Sequence, residues 1–184
     1  MPFFDVDSAR ARLEKTPLIK QASVRKLYPG QIVIDMVERT PAALWQKNGE
    51  IKTISADGAV IDELRDANFR DLPLIVGDGA NDRLPEFRAL LDQTEELRPK
   101  IVAGLLIDRR RWTFRLNNGL EVKLPENEPS PAISTLVRMQ RDSRILDRDI
   151  LAVDLRTPGK AFLRLSAEAA EARATARPKK GATP

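Results

Sequence analysis

Hydrophobic and polar positions alternate along several short stretches of the chain, a pattern typical of half-buried β-strands. Gln31–Arg39 is a clear case, because Ile32, Ile34 and Met36 fall on one face. The alternation and the turn residues between stretches predict strands at Gln21–Leu27, Gln31–Arg39, Ala42–Trp45, Ile51–Ser55, Ile101–Asp108, Arg111–Leu116, Leu120–Leu124, Ala152–Arg156 and Lys160–Ser166. Asn118 and Gly119 between two of these runs predict a tight hairpin.

Three segments show helical spacing instead. Asp7 and Ser8 predict the start of a short helix that ends near Lys15. A second helix is predicted from Asn81 to Pro99, with an apolar stripe formed by Leu84, Phe87, Leu90, Leu91 and Leu97. A third begins at Ser130 and Pro131 and turns Ile133, Leu136 and Val137 inward. Strands and helices in this order indicate an α+β fold.

The last predicted strand, Lys160–Ser166, has no obvious neighbour on its outer side. The segment that follows, Ala167–Pro184, contains no apolar side chain larger than alanine, so we expect it to be disordered apart from a turn or two of helix. Phe162, Arg164 and Ser166 alternate with Ala161, Leu163 and Leu165, and we expect the second row to face the core. A partner strand could pair with the free backbone edge. Proline at residue 162 or 164 is predicted to block that pairing.

Composition narrows the classes of function. The 184 residues carry a net charge of +4 and include neither cysteine nor histidine. Disulfides, thiolate nucleophiles, zinc–thiolate sites and Ser-His-Asp chemistry are therefore excluded. An enzyme that uses paired carboxylates stays open, although Glu95 and Glu96 are adjacent on a helix and point in different directions. The longest apolar run, Ile101–Ile107, is too short to cross a bilayer.

Two local sequence patterns are compatible with ligand binding, but each has a simpler interpretation. The basic clusters 109–111 and 177–180 are accompanied by few aromatic residues, which argues against a nucleic-acid partner. The loop Gly77–Asp82 lacks the spaced acidic ligands of a calcium loop and the Lys-Ser/Thr of a phosphate loop. We interpret it as the start of a helix. No cofactor or metal is predicted.

The chain also resembles the FtsQ/DivIB family of bacterial cell-division proteins. The similarity lies in ordered stretches of sequence: ASVRKLYPGQIVIDMVERTPAALWQ (Ala22–Gln46), ISADGAVI (Ile54–Ile61), LPLIVGDGAN (Leu72–Asn81), RRWTFRLNNGLEVKLPE (Arg110–Glu126) and DRDILAVDLR (Asp147–Arg156). The resemblance covers nearly everything up to Ser166.

The resemblance implies a domain plan. Residues 1–40 are expected to form a partial POTRA domain, and residues 41–166 a mostly antiparallel, twisted β-sheet domain with two helices on one face. Residues 167–184 are the expected disordered tail. In the family plan a transmembrane helix, the first POTRA strand and the first POTRA helix precede Phe3–Lys15. We expect all three to be missing here, either because the sequence is a fragment or because its start codon was assigned too late.

The function implied is that of a non-enzymatic divisome scaffold on the periplasmic side of the inner membrane. Such a scaffold links early and late division proteins through FtsB- and FtsL-like partners and helps to control septal peptidoglycan synthesis. The membrane contact would be made only by the missing helix. The predicted partner-binding residues are Thr157, Lys160, Ala161, Phe162, Leu163, Arg164 and Leu165. The alternative is a POTRA-type module of secretion or outer-membrane assembly, which also adds strands at a sheet edge.

Overall fold

The computed structural model describes residues 4–63, 69 and 72–175 and divides into two compact units on either side of residues 85 and 86. The first unit contains α1 (Val6–Glu14), β1 (Ile19–Leu27), β2 (Gln31–Glu38), β3 (Pro41–Lys47), β4 (Glu50–Ser55), β5 (Val60–Glu63) and β6 (Leu74–Val76). Helix α2 (Leu84–Asp92) begins at the division. The second unit continues with β7 (Ile101–Ile107), β8 (Arg111–Leu116), β9 (Glu121–Lys123), α3 (Pro129–Ser143), β10 (Ile150–Asp154), β11 (Phe162–Leu165) and α4 (Ala167–Thr175).

The first unit opens with a helix and a two-stranded antiparallel sheet. Strands β1 and β2 pair so that Val24 lies opposite Ile34 and Ala22 opposite Met36. Helix α1 begins about two residues earlier than the sequence predicted, because the Asp5 side chain caps it by accepting hydrogen bonds from the backbone N–H groups of Asp7 and Ser8.

The rest of the first unit is a mixed sheet in the order β6-β3-β4-β5. Strand β3 is antiparallel to β4 and parallel to β6. The indole of Trp45 on β3 donates a hydrogen bond to the Gly77 carbonyl oxygen at 2.8 Å, which ties β3 to the loop after β6. Strands β5 and β6 are additional to those that the alternation predicted, since both are short and neither shows a clear period of two.

The second unit contains a five-stranded sheet in the order β7-β8-β9-β10-β11, in which only β9 and β10 are parallel. Its core is built around Phe87 on α2, whose ring centroid lies 5.0 Å from that of Trp112 and 6.0 Å from that of Phe114. A Cβ atom at Gly104 on β7 would lie 2.2 Å from the Phe87 ring, so glycine is required for this packing. The α+β fold class is confirmed.

Two predicted elements differ from the structure. The helix expected from Asn81 to Pro99 breaks at Thr94, whose buried hydroxyl donates to the Leu91 carbonyl oxygen at 2.8 Å, and a 3₁₀ turn follows at Glu95–Lys100. The tail forms a helix of nine residues over 167–175, slightly longer than the turn or two of helix that the sequence allowed. The hydroxyl of Ser166 accepts from the Ala169 N–H at 3.1 Å and so caps α4, and alanine favours the helical state even where nothing is buried.

Candidate functional site

Strand β11 is the free edge that the sequence predicted. It pairs with β10 in antiparallel register, with Phe162 opposite Asp154, Leu163 opposite Val153 and Arg164 opposite Ala152. Among the described residues, β10 is the one strand hydrogen-bonded to β11, which ends the sheet of the second unit. One side of the β11 backbone is therefore available to a partner.

The direction of the β10 backbone decides which β11 groups are available. The Leu155 N–H donates to the Lys123 carbonyl oxygen at 2.9 Å, so Leu155 directs its backbone toward β9. Because strand residues alternate in direction, Ala152 and Asp154 direct theirs toward β11 and bond Arg164 and Phe162. The outward groups of the regular part of the ladder are consequently those of Leu163; the register shifts between Ile150 and Ala152, next to the partner of Leu165. This corrects the expectation that residues 162 and 164 face the partner.

The side chains of β11 are more exposed than its sequence suggested. Phe162 is 56% exposed and Leu163 is 37% exposed, while Leu165 is half-buried. Leu163 shares a face with the buried Val153, but no described element covers it at the margin of the sheet. The expectation that Ala161, Leu163 and Leu165 form part of the core is wrong, since an edge strand has neighbours on one side alone.

A cleft of about 370 Å³ lies beside this edge, between α3 and the turn that leads into β11; we call it the α3 cleft. It is lined by Pro125, Asn127, Glu128, Pro131, Ala132, Thr135, Arg138, Leu155, Thr157, Pro158, Gly159, Lys160 and Ala161. The structure thus brings together all seven predicted site residues, with three of them in the cleft and four on β11. The lining from α3 was missed, because nothing in the local sequence shows which helix face lies next to a distant turn.

The charges around the edge are mainly positive. The guanidinium of Arg156 donates to both carboxylate oxygens of Asp154, and this hydrogen bonding lowers the pKa of Asp154 and raises that of Arg156. Lys160 and Arg164 make no ion pair with any described residue. An acidic partner would be attracted to this surface.

The other patterns noted in the sequence have structural roles. Glu96 accepts a hydrogen bond from Arg141 at 2.7 Å, so the adjacent glutamates do not converge on a shared site. The loop Gly77–Asp82 packs against Gly58, whose carbonyl oxygen accepts from the Asn81 amide at 3.2 Å. Within residues 4–63, 69 and 72–175, no cluster of three or more carboxylates could hold a metal ion. No helix among them combines the length and the apolar character needed to span a membrane.

Comparison with known proteins assigns the family. The sequence-family model for the C-terminal region of cell division protein FtsQ/DivIB matches residues 43–156. The family model for the FtsQ-type POTRA domain matches residues 1–39. The chain belongs to the FtsQ/DivIB family. Both matches are of FtsQ type, so they favour cell division over the alternative of a secretion or outer-membrane assembly module.

Curated relatives of the FtsQ family agree with this assignment. The chain is 40% identical over 171 residues to cell division protein FtsQ of Bradyrhizobium diazoefficiens, covering 93% of this chain and 50% of the relative. It is 38% identical to FtsQ of Rhizobium meliloti, covering 94% and 56%, and 33% identical to FtsQ of Caulobacter vibrioides, covering 84% and 51%. The chain therefore spans about half the length of these relatives.

Proposed function

We propose that the chain is a non-enzymatic scaffold of the division machinery that binds an FtsB-like protein by strand addition at β11. The observation that carries the proposal is the free β11 edge, with the backbone groups of Leu163 directed outward beside the α3 cleft. In this role the chain would act on the periplasmic side of the inner membrane. It would link early and late division proteins, together with an FtsL-like protein, and help to control septal peptidoglycan synthesis.

The backbone edge provides affinity in this mode of binding. Each N–H or C=O group of β11 that faces outward gains a hydrogen bond when a strand is added, and each such bond contributes about 0.5–1.5 kcal/mol net. The exposed Phe162 and Leu163 lie on opposite faces of β11, so both faces of an added strand would meet an apolar side chain.

The α3 cleft provides a place for partner side chains. It lies on the face of the sheet that carries Leu155 and Ala161, so alternate side chains of an added strand would be directed toward it. Its lining combines three prolines with two basic residues, Arg138 and Lys160, and one acidic residue, Glu128, and this surface fits a segment with apolar side chains and an excess of acidic ones. Cleft and edge together would set the register of the partner.

A binding experiment with two substitutions at one position tests the proposal. Leu163→Pro deletes an outward N–H group and obstructs close approach, whereas Leu163→Ala keeps the backbone and removes part of the side chain. With the soluble part of an FtsB-like protein as the probe, we expect Leu163→Pro to abolish binding and Leu163→Ala to weaken it. Unchanged binding by a folded Leu163→Pro variant would contradict strand addition at β11.

A further inference from the structure

The sequence contains two Asn-Gly pairs, Asn48-Gly49 and Asn118-Gly119, and both lie in turns between paired strands. All four residues are exposed, so water reaches both turns. The side-chain amide of an asparagine that precedes glycine is open to attack by the glycine backbone nitrogen, because no Cβ atom crowds that nitrogen. Whether a pair reacts in the folded chain depends on how firmly these two groups are held.

Hydrogen bonds hold both reacting groups of the Asn118-Gly119 pair. The Asn118 amide nitrogen donates to the Leu146 carbonyl oxygen at 2.9 Å, and the side-chain oxygen accepts from the Leu120 N–H at 3.1 Å. The Gly119 N–H donates to the Leu116 carbonyl oxygen at 2.9 Å. These bonds fix the nitrogen that would attack and the amide that would be attacked, and they have to break before the two can meet.

The Asn48-Gly49 pair is not held in this way. Lys47 pairs with Glu50 across the turn, which leaves Asn48 and Gly49 as its two loop residues, with φ of 52° and 86°. Within the part of the chain that the structure describes, neither the Asn48 side chain nor the Gly49 N–H makes a hydrogen bond. The reactive conformation therefore requires rotation of two exposed loop residues alone, and exposed turns open at little cost in free energy.

We propose that Asn48 is a site of spontaneous deamidation in the folded chain, with water as the co-reactant, and that Asn118 is protected. In the first step the Gly49 backbone nitrogen gives up its proton and bonds to Cγ of Asn48. The bond from Cγ to Nδ2 breaks, and Nδ2 takes up that proton and leaves as ammonia. A five-membered succinimide remains. Water then adds to one of its two carbonyl carbons, and the ring opens to aspartate or isoaspartate.

The product alters the end of the β3–β4 hairpin. It places a carboxylate next to Lys47, whose ammonium contacts the Asp78 carboxylate at 2.5 Å and lies 5.7 Å from the centre of the Trp45 ring. In the isoaspartyl product the main chain also gains a methylene group, and the length of a two-residue turn fixes how its strands pair. The reacted chain carries one more negative charge at neutral pH, so ion exchange separates it from the unreacted chain.

Peptide mass spectrometry of the 184-residue chain, incubated in neutral buffer, tests the assignment. In the native chain we expect Asn48 to lose ammonia faster than Asn118 by about tenfold or more, because exchange of any kind follows local opening. In concentrated urea the hydrogen bonds of Asn118 are absent, and we expect the two rates to become similar. Equal rates in the native chain, or a preference for Asn48 that persists unchanged in urea, would overturn the proposal.

Two matched variants identify the source of the acidic form that ion exchange detects. Asn48→Ser removes the reacting amide, so we expect the acidic form to appear far more slowly than in the wild type. Asn118→Ser removes the other amide of an Asn-Gly pair, and we expect the wild-type rate. Circular dichroism confirms that each variant is folded. Wild-type accumulation in Asn48→Ser, or its loss in Asn118→Ser, would show that Asn48 is not the site.

Discussion

Leu163 lies directly opposite Val153 across the β10–β11 ladder, yet Val153 is fully buried and Leu163 is 37% exposed. The two side chains share a face of one sheet, so the difference reflects their positions in it. Val153 has a neighbouring strand on each side, whereas Leu163 has one. The core therefore ends between Val153 and Leu163, and a partner strand paired with β11 could extend it.

The α3 cleft gives a prediction about partner binding. Ala132 lines the cleft from the first turns of α3, and phenylalanine in its place would fill the volume that we assign to a partner side chain. We expect Ala132→Phe to weaken binding of the FtsB-like probe by about tenfold or more, as the loss of a central interface contact does. Ser134→Phe on the same helix is the control, because Ser134 is exposed outside the cleft lining. Titration calorimetry measures both affinities. A similar loss of affinity in the two variants would argue that the cleft does not bind the partner.

Gly104 gives a prediction about the core of the second unit. A methyl group there would lie 2.2 Å from the Phe87 ring, which is held against Trp112 and Phe114. We expect Gly104→Ala to lower the free energy of unfolding by about 1–3 kcal/mol, the usual cost of overpacking. Urea denaturation measures this loss. In a Phe87→Leu variant, Gly104→Ala should lower the free energy of unfolding by less than it does in the wild type. An equal loss in both proteins would mean that the strain does not come from contact with the Phe87 ring.

Asp57 gives a prediction about pH. Hydrogen bonds from the Ser55 hydroxyl and from the Arg39 guanidinium, the latter at 2.8 Å, lower the pKa of Asp57 from 3.8 to about 2. A lowered pKa means that the ionised group stabilises the fold above pH 3.8 and that this contribution is lost as the pH falls toward 2.

The test compares the wild type with Asp57→Asn. Because Asp57 is half exposed, we expect Asp57→Asn to lower stability at neutral pH by no more than about 1 kcal/mol. The gap between the two proteins should close between pH 4 and pH 2, as followed by thermal unfolding. Asp147, whose pKa is also lowered to about 2, is present in both proteins and cancels in the difference. A gap independent of pH would show that the Asp57 charge is not what stabilises this turn.

The tail gives a fourth prediction. The described residues of α4 bury no side chain, and Ser166 caps the helix from outside it. Deletion of Arg173–Pro184 should therefore leave the melting temperature unchanged, since it removes no described buried contact. A clear fall in melting temperature would mean that the tail docks on the rest of the chain.

The sequence predicted local features better than relations between distant segments. The alternation of Trp112, Phe114 and Leu116 with polar residues was enough to predict β8 and its inward face, because that pattern reflects burial of a whole strand. The break at Thr94 depends on one hydroxyl that satisfies the backbone of the preceding turn, and no periodicity records it.

The candidate site shows the same limit. The position of the last strand in the sequence predicted that it would lie at the edge of the sheet, and β11 lies there among the described strands. Which of its backbone groups point outward depends on the Leu155–Lys123 hydrogen bond between β9 and β10, which fixes the alternation in β11. The α3 cleft joins segments near residues 125, 135 and 160, and only the tertiary fold brings these together.

Amide hydrogen exchange of β11, residue by residue, tests strand addition most directly. In the free chain, the N–H groups of Phe162 and Arg164 bond β10 and should exchange slowly, while that of Leu163 faces water and should exchange fast. Addition of the FtsB-like probe should slow exchange at Leu163 and leave Phe162 and Arg164 nearly unchanged. If the probe binds and the Leu163 amide still exchanges at its free rate, the partner does not pair with β11 and the central claim is wrong.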